Sequence, residues 1–128
     1  MVKMPPGPSA FCDVDDTLIV WNDKVGEELN LPQVEIECRG IMKTYYTNPY
    51  NLEYIRKLAA RGHAIVLWSA GGSDWAEAVA YGLDLDEMIF AAMAKPTYYI
   101  DDIQDPKKIL GRYEFYDVYG KRILLEDK

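Results

Sequence analysis

Two groups of carboxylates carry the clearest chemical signal in the sequence. Residues 13–17 read Asp-Val-Asp-Asp-Thr directly after a short apolar run from Ala10 to Cys12, and Asp101 and Asp102 follow residues 97–100. An apolar strand that stops at carboxylates is typical of an open parallel sheet, whose ligands bind beyond the carboxyl ends of the strands. We therefore expect both acidic groups to lie at one edge of such a sheet.

The charge of these acids demands a cationic partner. If Asp13, Asp15, Asp101 and Asp102 converged while ionised, their mutual repulsion would destabilise the site. Mg²⁺ suits such a set, because it prefers hard oxygen ligands and keeps several waters and substrate phosphate oxygens. Two positive charges from Mg²⁺, one from Lys95 and a proton on one aspartate would bring the total to zero.

At this point the residues resemble the motifs of a known family, the haloacid dehalogenase superfamily. The likeness covers residues 9–105 and consists of four motifs in order: Asp13-Val14-Asp15-Asp16-Thr17-Leu18, Ser69 after Ile65-Val66-Leu67-Trp68, Lys95, and Tyr99-Ile100-Asp101-Asp102. With an aspartate at position 15, the first motif resembles that of the phosphatases and phosphotransferases of this superfamily. It does not resemble that of its transport ATPases or metal-free dehalogenases.

The resemblance assigns a role to each matched residue. Asp13 would be the nucleophile that forms an aspartyl-phosphate, and Asp15 the general acid and base, with its main-chain carbonyl on the metal. In the same resemblance Mg²⁺ is the cofactor, and its remaining ligand is Asp102, supported by Asp101. The other two roles are a hydrogen bond from Ser69 to a phosphoryl oxygen and a positive charge from Lys95 that neutralises the transferring group.

The distances between motifs along the chain predict the architecture. Ser69 follows Asp13 by 56 positions and Lys95 follows Ser69 by 26, which leaves no room for a cap domain in either interval. We therefore expect an α/β protein with the Rossmannoid three-layer fold of the superfamily, built on a central, mainly parallel sheet without a cap. Residues 19–46 would form a small hairpin flap, because residues 34–38 alternate in polarity before an Arg39-Gly40 turn and a return strand from Ile41 to Tyr46.

The elements around these motifs follow from turn and cap signals. Asn48 and Pro49 predict the start of a helix that ends at Gly62, and the next residues, 63–68, predict a buried strand. Asp74 and Glu77 resemble the capping box of a second helix that ends near Gly82. Three later segments are expected as strands or hairpins, namely 88–92, 97–100 and the aromatic tail 113–119.

Four residues separate segments 88–92 and 97–100, whereas parallel neighbours need a crossover of a dozen or more. Two alternatives stay open: the first segment is not a strand of the sheet, or the two strands are not neighbours and Lys95 lies on a short loop.

Length and composition restrict the remaining possibilities. A chain of 128 residues suits one domain, 1–128, with residues 1–8 as a flexible arm. Its 21 acidic and 14 basic residues give a formal net charge of -7, so we expect neither general nucleic-acid binding nor attraction to anionic membranes. Cys12 and Cys38 make no disulfide framework, and no signal segment is visible, which favours a cytoplasmic protein of unpredicted oligomeric state.

These features predict an enzyme, a Mg²⁺-dependent phosphomonoester hydrolase whose substrate is a phosphorylated metabolite or a polymer end. Three alternatives stay open. The first is a 3′-phosphatase that processes nucleic-acid ends, which the acidic composition disfavours. The others are not enzymes: a phospho-accepting receiver domain, disfavoured because Ser69 ends the second strand, and a binding or assembly module on the same fold.

Overall fold

The computed structural model describes residues 7–105, 111, 114–116 and 122–124. In chain order its elements are β1 (Ser9–Asp13), β2 (Ile19–Val20), α1 (Asp23–Glu28), β3 (Gln33–Cys38), β4 (Ile41–Thr47), α2 (Pro49–Ala60), β5 (Ala64–Ser69), α3 (Ser73–Gly82), β6 (Ala91–Ala94), β7 (Glu114–Tyr116) and β8 (Arg122–Leu124). The predicted α/β class is confirmed.

A parallel sheet in the order β1-β5-β6 carries the chemically interesting residues. Its register pairs Asp13 with Trp68 across β1 and β5, and Ser69 with Ala94 across β5 and β6. The carboxyl ends of the three strands therefore lie side by side. Ile65 and Leu67 on β5 are fully buried, as expected of a strand in a covered parallel sheet.

A second, antiparallel sheet in the order β2-β4-β3 contains the hairpin that the alternation of polarity predicts. Its turn is Arg39-Gly40, with φ angles of 54° and 79°, a left-handed pair that suits the twist of a two-residue hairpin. Segment 19–46 also holds β2 and the short helix α1, which the sequence does not predict. Asn22 caps α1 by accepting hydrogen bonds from the amides of Lys24 and Val25.

The two longer helices begin differently. Asn48 caps α2, and its side-chain oxygen accepts from the amides of Tyr50 and Asn51, as predicted from the Asn-Pro pair. Helix α3 begins after Gly72, which has φ 106° and offers no side-chain cap. The predicted capping box at Asp74 is therefore wrong, because the tight exit after Ser69 starts the helix earlier and places Asp74 inside its first turn.

One hydrophobic core joins the two sheets through helices α2 and α3. Its fully buried members include Val14, Leu18, Ile19 and Val79. The hairpin contributes Ile36, which is 1% exposed and lies against Gly82 at the end of α3, where an added Cβ would come within 2.7 Å of its Cγ1. The hairpin is thus anchored in the core through β3 rather than being a loose cover.

Two predicted strands need correction. The strand expected at 88–92 is β6, which begins at Ala91. The strand expected at 97–100 is wrong, because these exposed residues form no ladder and the chain that leaves β6 has no crossover long enough to re-enter the sheet. The first of the two alternatives is excluded, and Lys95 directly follows β6.

The remaining predictions concern the two ends of the sequence. Most of the expected flexible arm, residues 1–6, lies outside the described residues, as do residues 113 and 117–119 of the aromatic tail. Strand β7 falls within that tail and pairs antiparallel with β8, which lies beyond it in sequence. No helix in the described ranges is both long and apolar enough to cross a membrane.

Candidate functional site

The loop from Asp13 to Ile19 is a tight, internally bonded turn. The Val14 carbonyl accepts hydrogen bonds from the amides of Leu18, at 2.8 Å, and Ile19, at 3.1 Å. Asp16 completes the turn with φ 60°, a left-handed conformation that aspartate tolerates better than most residues. Because Val14 and Leu18 are fully buried, the apolar side chains of this loop hold its polar ones in place.

Helix α2 fixes the same loop from outside. The Asn48 amide donates to the Leu18 carbonyl at 2.9 Å, and the Asn51 side-chain amide donates to the Thr17 carbonyl at 2.7 Å. Thr17 in turn donates its hydroxyl to Oδ2 of Asp13 at 3.0 Å. A chain of hydrogen bonds therefore connects the start of α2 to the Asp13 carboxylate.

Lys95 forms an ion pair with Asp13. Its Nζ lies 3.0 Å from Oδ1 of Asp13, with side chains 39% and 33% exposed respectively. The Lys95 main chain is also fixed, because its amide donates to the Ser69 carbonyl at 2.9 Å. The partial exposure leaves Asp13 open to solvent and to a substrate, while the ammonium group balances its charge.

Asp15 is held by three neutral hydrogen-bond donors. Its Oδ1 accepts from the indole nitrogens of Trp21 and Trp75, both at 2.9 Å. Its Oδ2 accepts from the hydroxyl of Ser69 at 2.7 Å, and that hydroxyl accepts from the Gly71 amide at 2.9 Å. The two indoles can only donate, whereas a serine hydroxyl can donate or accept. Oδ2 is therefore the oxygen of Asp15 that can carry a proton and keep its hydrogen bond, because the Ser69 hydroxyl can then accept instead of donate.

Three aromatic side chains from different elements meet beside Asp15. The ring centroid of Trp21 lies 5.2 Å from that of Tyr45 and 5.8 Å from that of Trp75, and Tyr45 and Trp75 are 5.3 Å apart. Trp75 is 7% exposed and Trp21 is 49% exposed, so Trp75 forms the buried base of this aromatic cluster and Trp21 its open side. Burial, with a smaller contribution from Cys38, raises the pKa of the Tyr45 phenol, which therefore stays neutral.

Cys12, beside Asp13 in β1, has the properties of an inert core residue. Burial, and secondly the negative charge of Asp13, raises the pKa of the Cys12 thiol to about 12. Because only the thiolate is a good nucleophile, this cysteine does not react readily near neutral pH.

Asp101 and Asp102 lie on the exposed segment after β6. The amide of Ile103 donates to Oδ1 of Asp101 at 2.9 Å. This bond first of all, and hydrogen bonding with Asp102 second, holds the pKa of Asp101 below its usual range. Across the part of the chain that the structure describes, no three acidic, histidine or cysteine side chains lie close enough to hold a metal. The two acids are thus not grouped with Asp13 and Asp15.

The oxygen atoms of Asp13 and Asp15 can be compared with the ligands that a divalent cation requires. Mg²⁺ is commonly held by one or two carboxylates plus substrate phosphates and waters, rather than by a complete protein cage. The open Asp13 carboxylate fits that requirement, whereas both oxygens of the Asp15 carboxylate already accept hydrogen bonds. A metal contact of Asp15 through its main-chain carbonyl would leave all three of these hydrogen bonds in place.

The structure thus brings four of the six predicted site residues together at the carboxyl ends of β1, β5 and β6: Asp13, Asp15, Ser69 and Lys95. Sequence reasoning missed Trp21 and Trp75, whose indole nitrogens both donate to Asp15. The available signal was the indole N–H itself, because a buried tryptophan such as Trp75 needs an acceptor. Its neighbours in sequence, Asp74 and Glu77, give no indication that this acceptor is Asp15. Asn51 gave no comparable signal.

Comparison of the chain with family models, with curated proteins and with solved structures gives no match in any of the three.

Proposed function

We propose that the protein is a Mg²⁺-dependent phosphomonoester hydrolase of the haloacid dehalogenase type that works through an aspartyl-phosphate on Asp13. The observation that supports this most directly is the Lys95–Asp13 ion pair at 3.0 Å, next to a second carboxylate that Ser69 and two indoles orient. A partly exposed carboxylate beside a fixed cation suits attack on a phosphoryl group, and a second, separately held carboxylate suits proton transfer.

In the first step an oxygen of Asp13 attacks phosphorus and the bond between phosphorus and the leaving oxygen breaks. Asp15 supplies a proton to that oxygen, so the alcohol departs neutral. The proton comes from Oδ2, because Oδ1 accepts from two groups that can only donate. While Oδ2 is protonated, the Ser69 hydroxyl can accept from it and direct its own proton to a phosphoryl oxygen.

In the second step Asp15, now ionised, takes a proton from a water molecule that attacks the phosphoryl group on Asp13. The bond between phosphorus and the Asp13 oxygen breaks, inorganic phosphate leaves, and both carboxyl groups return to their starting states. Lys95 neutralises negative charge on the transferring group in both steps. Bound Mg²⁺ would supply further charge neutralisation and orient the phosphate. Asp13 and the Asp15 carbonyl are its proposed ligands, whereas Asp102, with Asp101 as its support, is not grouped with them in this structure and is proposed on the resemblance alone.

The test is hydrolysis of p-nitrophenyl phosphate by the wild type with Mg²⁺, by the wild type with EDTA, and by Asp13→Asn with Mg²⁺. Asp86→Asn, which also removes one exposed carboxylate, is the matched control. The proposal predicts turnover only for the wild type and the control in Mg²⁺. Turnover by Asp13→Asn at the wild-type rate would contradict the proposal.

A further inference from the structure

We propose that Trp21 forms the wall against which the leaving group of the substrate lies, and that this leaving group carries a flat ring, as a nucleoside does. The inference rests on the proposed function and names the class of substrate for the same site. The inference depends on three things: how Trp21 is held, how large its exposed fraction is, and which part of a substrate must pass it.

Trp21 is fixed to the acidic loop at two points. Its main-chain amide donates to Oδ1 of Asp16 at 3.1 Å, and its indole nitrogen donates to Oδ1 of Asp15 at 2.9 Å. Edge-on contact with Tyr45, at an interplanar angle of 77°, supports the ring. The plane of the indole is therefore set before any substrate arrives.

The exposed part of Trp21 is large for a residue whose main-chain amide and indole nitrogen are both hydrogen-bonded. Trp21 is 49% exposed, whereas its partner Trp75 in the aromatic cluster is 7% exposed. An apolar surface of this kind gains free energy when another flat or apolar group covers it, and stacking on aromatic side chains is the usual way in which proteins hold nucleobases.

The proposed chemistry places the leaving group next to Trp21. Asp13, Thr17 and Lys95 surround the position of the phosphoryl group, whereas Asp15 must lie within hydrogen-bond reach of the leaving oxygen. The indole N–H points at Asp15, so the rest of the ring extends away from the acid. A substrate that leaves the site past Asp15 therefore meets the indole a few bonds beyond the leaving oxygen, where the base of a nucleoside monophosphate would lie.

The sharpest test compares two substrates that differ only in the flat ring, a nucleoside 5′-monophosphate and ribose 5-phosphate. We expect the wild type to show a kcat/KM about tenfold or more higher for the nucleotide, in the range of aromatic stacking on one base. Trp21→Leu should reduce this ratio to near one. Trp21→Phe retains a flat ring without the N–H, so it should slow both substrates while it keeps most of the ratio.

Tyr81→Leu, which removes another exposed aromatic from the far end of α3, is the control and should leave the ratio unchanged. A wild-type ratio near one, or a ratio that Trp21→Leu does not lower, would overturn the inference while the phosphatase activity itself stands. The inference would also be overturned if Trp21→Leu lowered kcat/KM for a hexose 6-phosphate as strongly as for the nucleotide, because Trp21 would then accept sugar rings as well.

Binding separates failure of this inference from failure of the proposed function. Calorimetry of Asp13→Asn with the same two compounds measures recognition without turnover. Tighter binding of the nucleotide, lost in the Asp13→Asn/Trp21→Leu double variant, supports the inference even if no substrate is hydrolysed. Equal binding of the two compounds, or binding of neither, contradicts it.

Discussion

At the residue scale, the two carboxylates of the Asp-x-Asp motif differ in their surroundings although only Val14 separates them. Asp13 lies beside a cation and is partly open, whereas Asp15 accepts from Ser69, Trp21 and Trp75 and pairs with no cation among the described residues. Different surroundings allow two chemically identical side chains to have different roles, one as nucleophile and one as proton donor.

Asp15→Asn is the variant that tests this division of roles. The asparagine oxygen can accept from both indoles and its amide can donate to Ser69, so we expect the fold and its melting temperature to change little. Turnover should fall by about 10²–10⁴-fold, because the amide cannot exchange a proton. The measurement is kcat together with thermal unfolding of the same preparation.

Asp15→Ala is the matched comparison. It leaves the indole of Trp75 and the hydroxyl of Ser69 buried without their acceptor, and we expect a loss of about 2 kcal/mol in the free energy of unfolding. If Asp15→Ala were as stable as Asp15→Asn, the three hydrogen bonds to the Asp15 carboxylate would not contribute to the stability of the fold.

At the element scale, helix α2 positions the loop from Asp13 to Ile19 as well as contributing to the core. Its cap residue Asn48 is fully buried, and its main chain donates to the Leu18 carbonyl. Helix α1 has a cap of the same chemistry in Asn22, which is exposed. The two asparagines therefore form a natural pair for comparison.

We predict that Asn48→Ala lowers the free energy of unfolding by about 2 kcal/mol, at the upper end of the range for cap removal, whereas Asn22→Ala costs about 0.5 kcal/mol. Urea denaturation of both variants measures the difference. Equal losses would show that the start of α2 has no special part in the fold.

Helix starts and hairpin turns can be predicted from the sequence where a few neighbouring residues determine them. Asn48-Pro49 marks a helix start, and Arg39-Gly40 between alternating residues marks a hairpin, because both depend on backbone preferences of a few neighbours. The expected strand at 97–100 failed for the opposite reason. Its apolar residues match a strand locally, but the connection from β6 is too short for a parallel neighbour, and that limit is set by the whole sheet.

The same distinction holds for the site. The edge where Asp13, Ser69 and Lys95 meet follows from parallel strands whose carboxyl ends align, so it could be predicted. The indoles of Trp21 and Trp75 reach Asp15 from a loop and from a helix, and their convergence depends on how the hairpin and α3 pack. The spacing of residues along the chain does not predict such packing.

At the scale of the whole molecule, the net charge of -7 opposes any further gathering of acids around Asp13. A bound divalent cation should therefore stabilise the folded protein. We predict that millimolar Mg²⁺ raises the melting temperature more than NaCl of equal ionic strength, since a ligand of the native state adds to its stability. Asp13→Asn should abolish the excess.

The excess over NaCl is the informative quantity, because salt alone screens repulsion among surface charges. An excess that is as large in Asp13→Asn as in the wild type would locate the cation elsewhere. No excess in the wild type would contradict a resident Mg²⁺ in the absence of substrate.

The central claim is that Asp13 becomes covalently phosphorylated, and the most direct measurement is the intact mass of the protein after acid quench of a reaction with a phosphomonoester. With p-nitrophenyl phosphate, whose leaving group departs without a proton, Asp15→Asn should accumulate the adduct, because attack of water on the intermediate still needs a general base. The account predicts a single phosphoryl group on Asp13, located by peptide mapping, and none in Asp13→Asn. Hydrolysis without any adduct in Asp15→Asn, or an adduct on another residue, would contradict it.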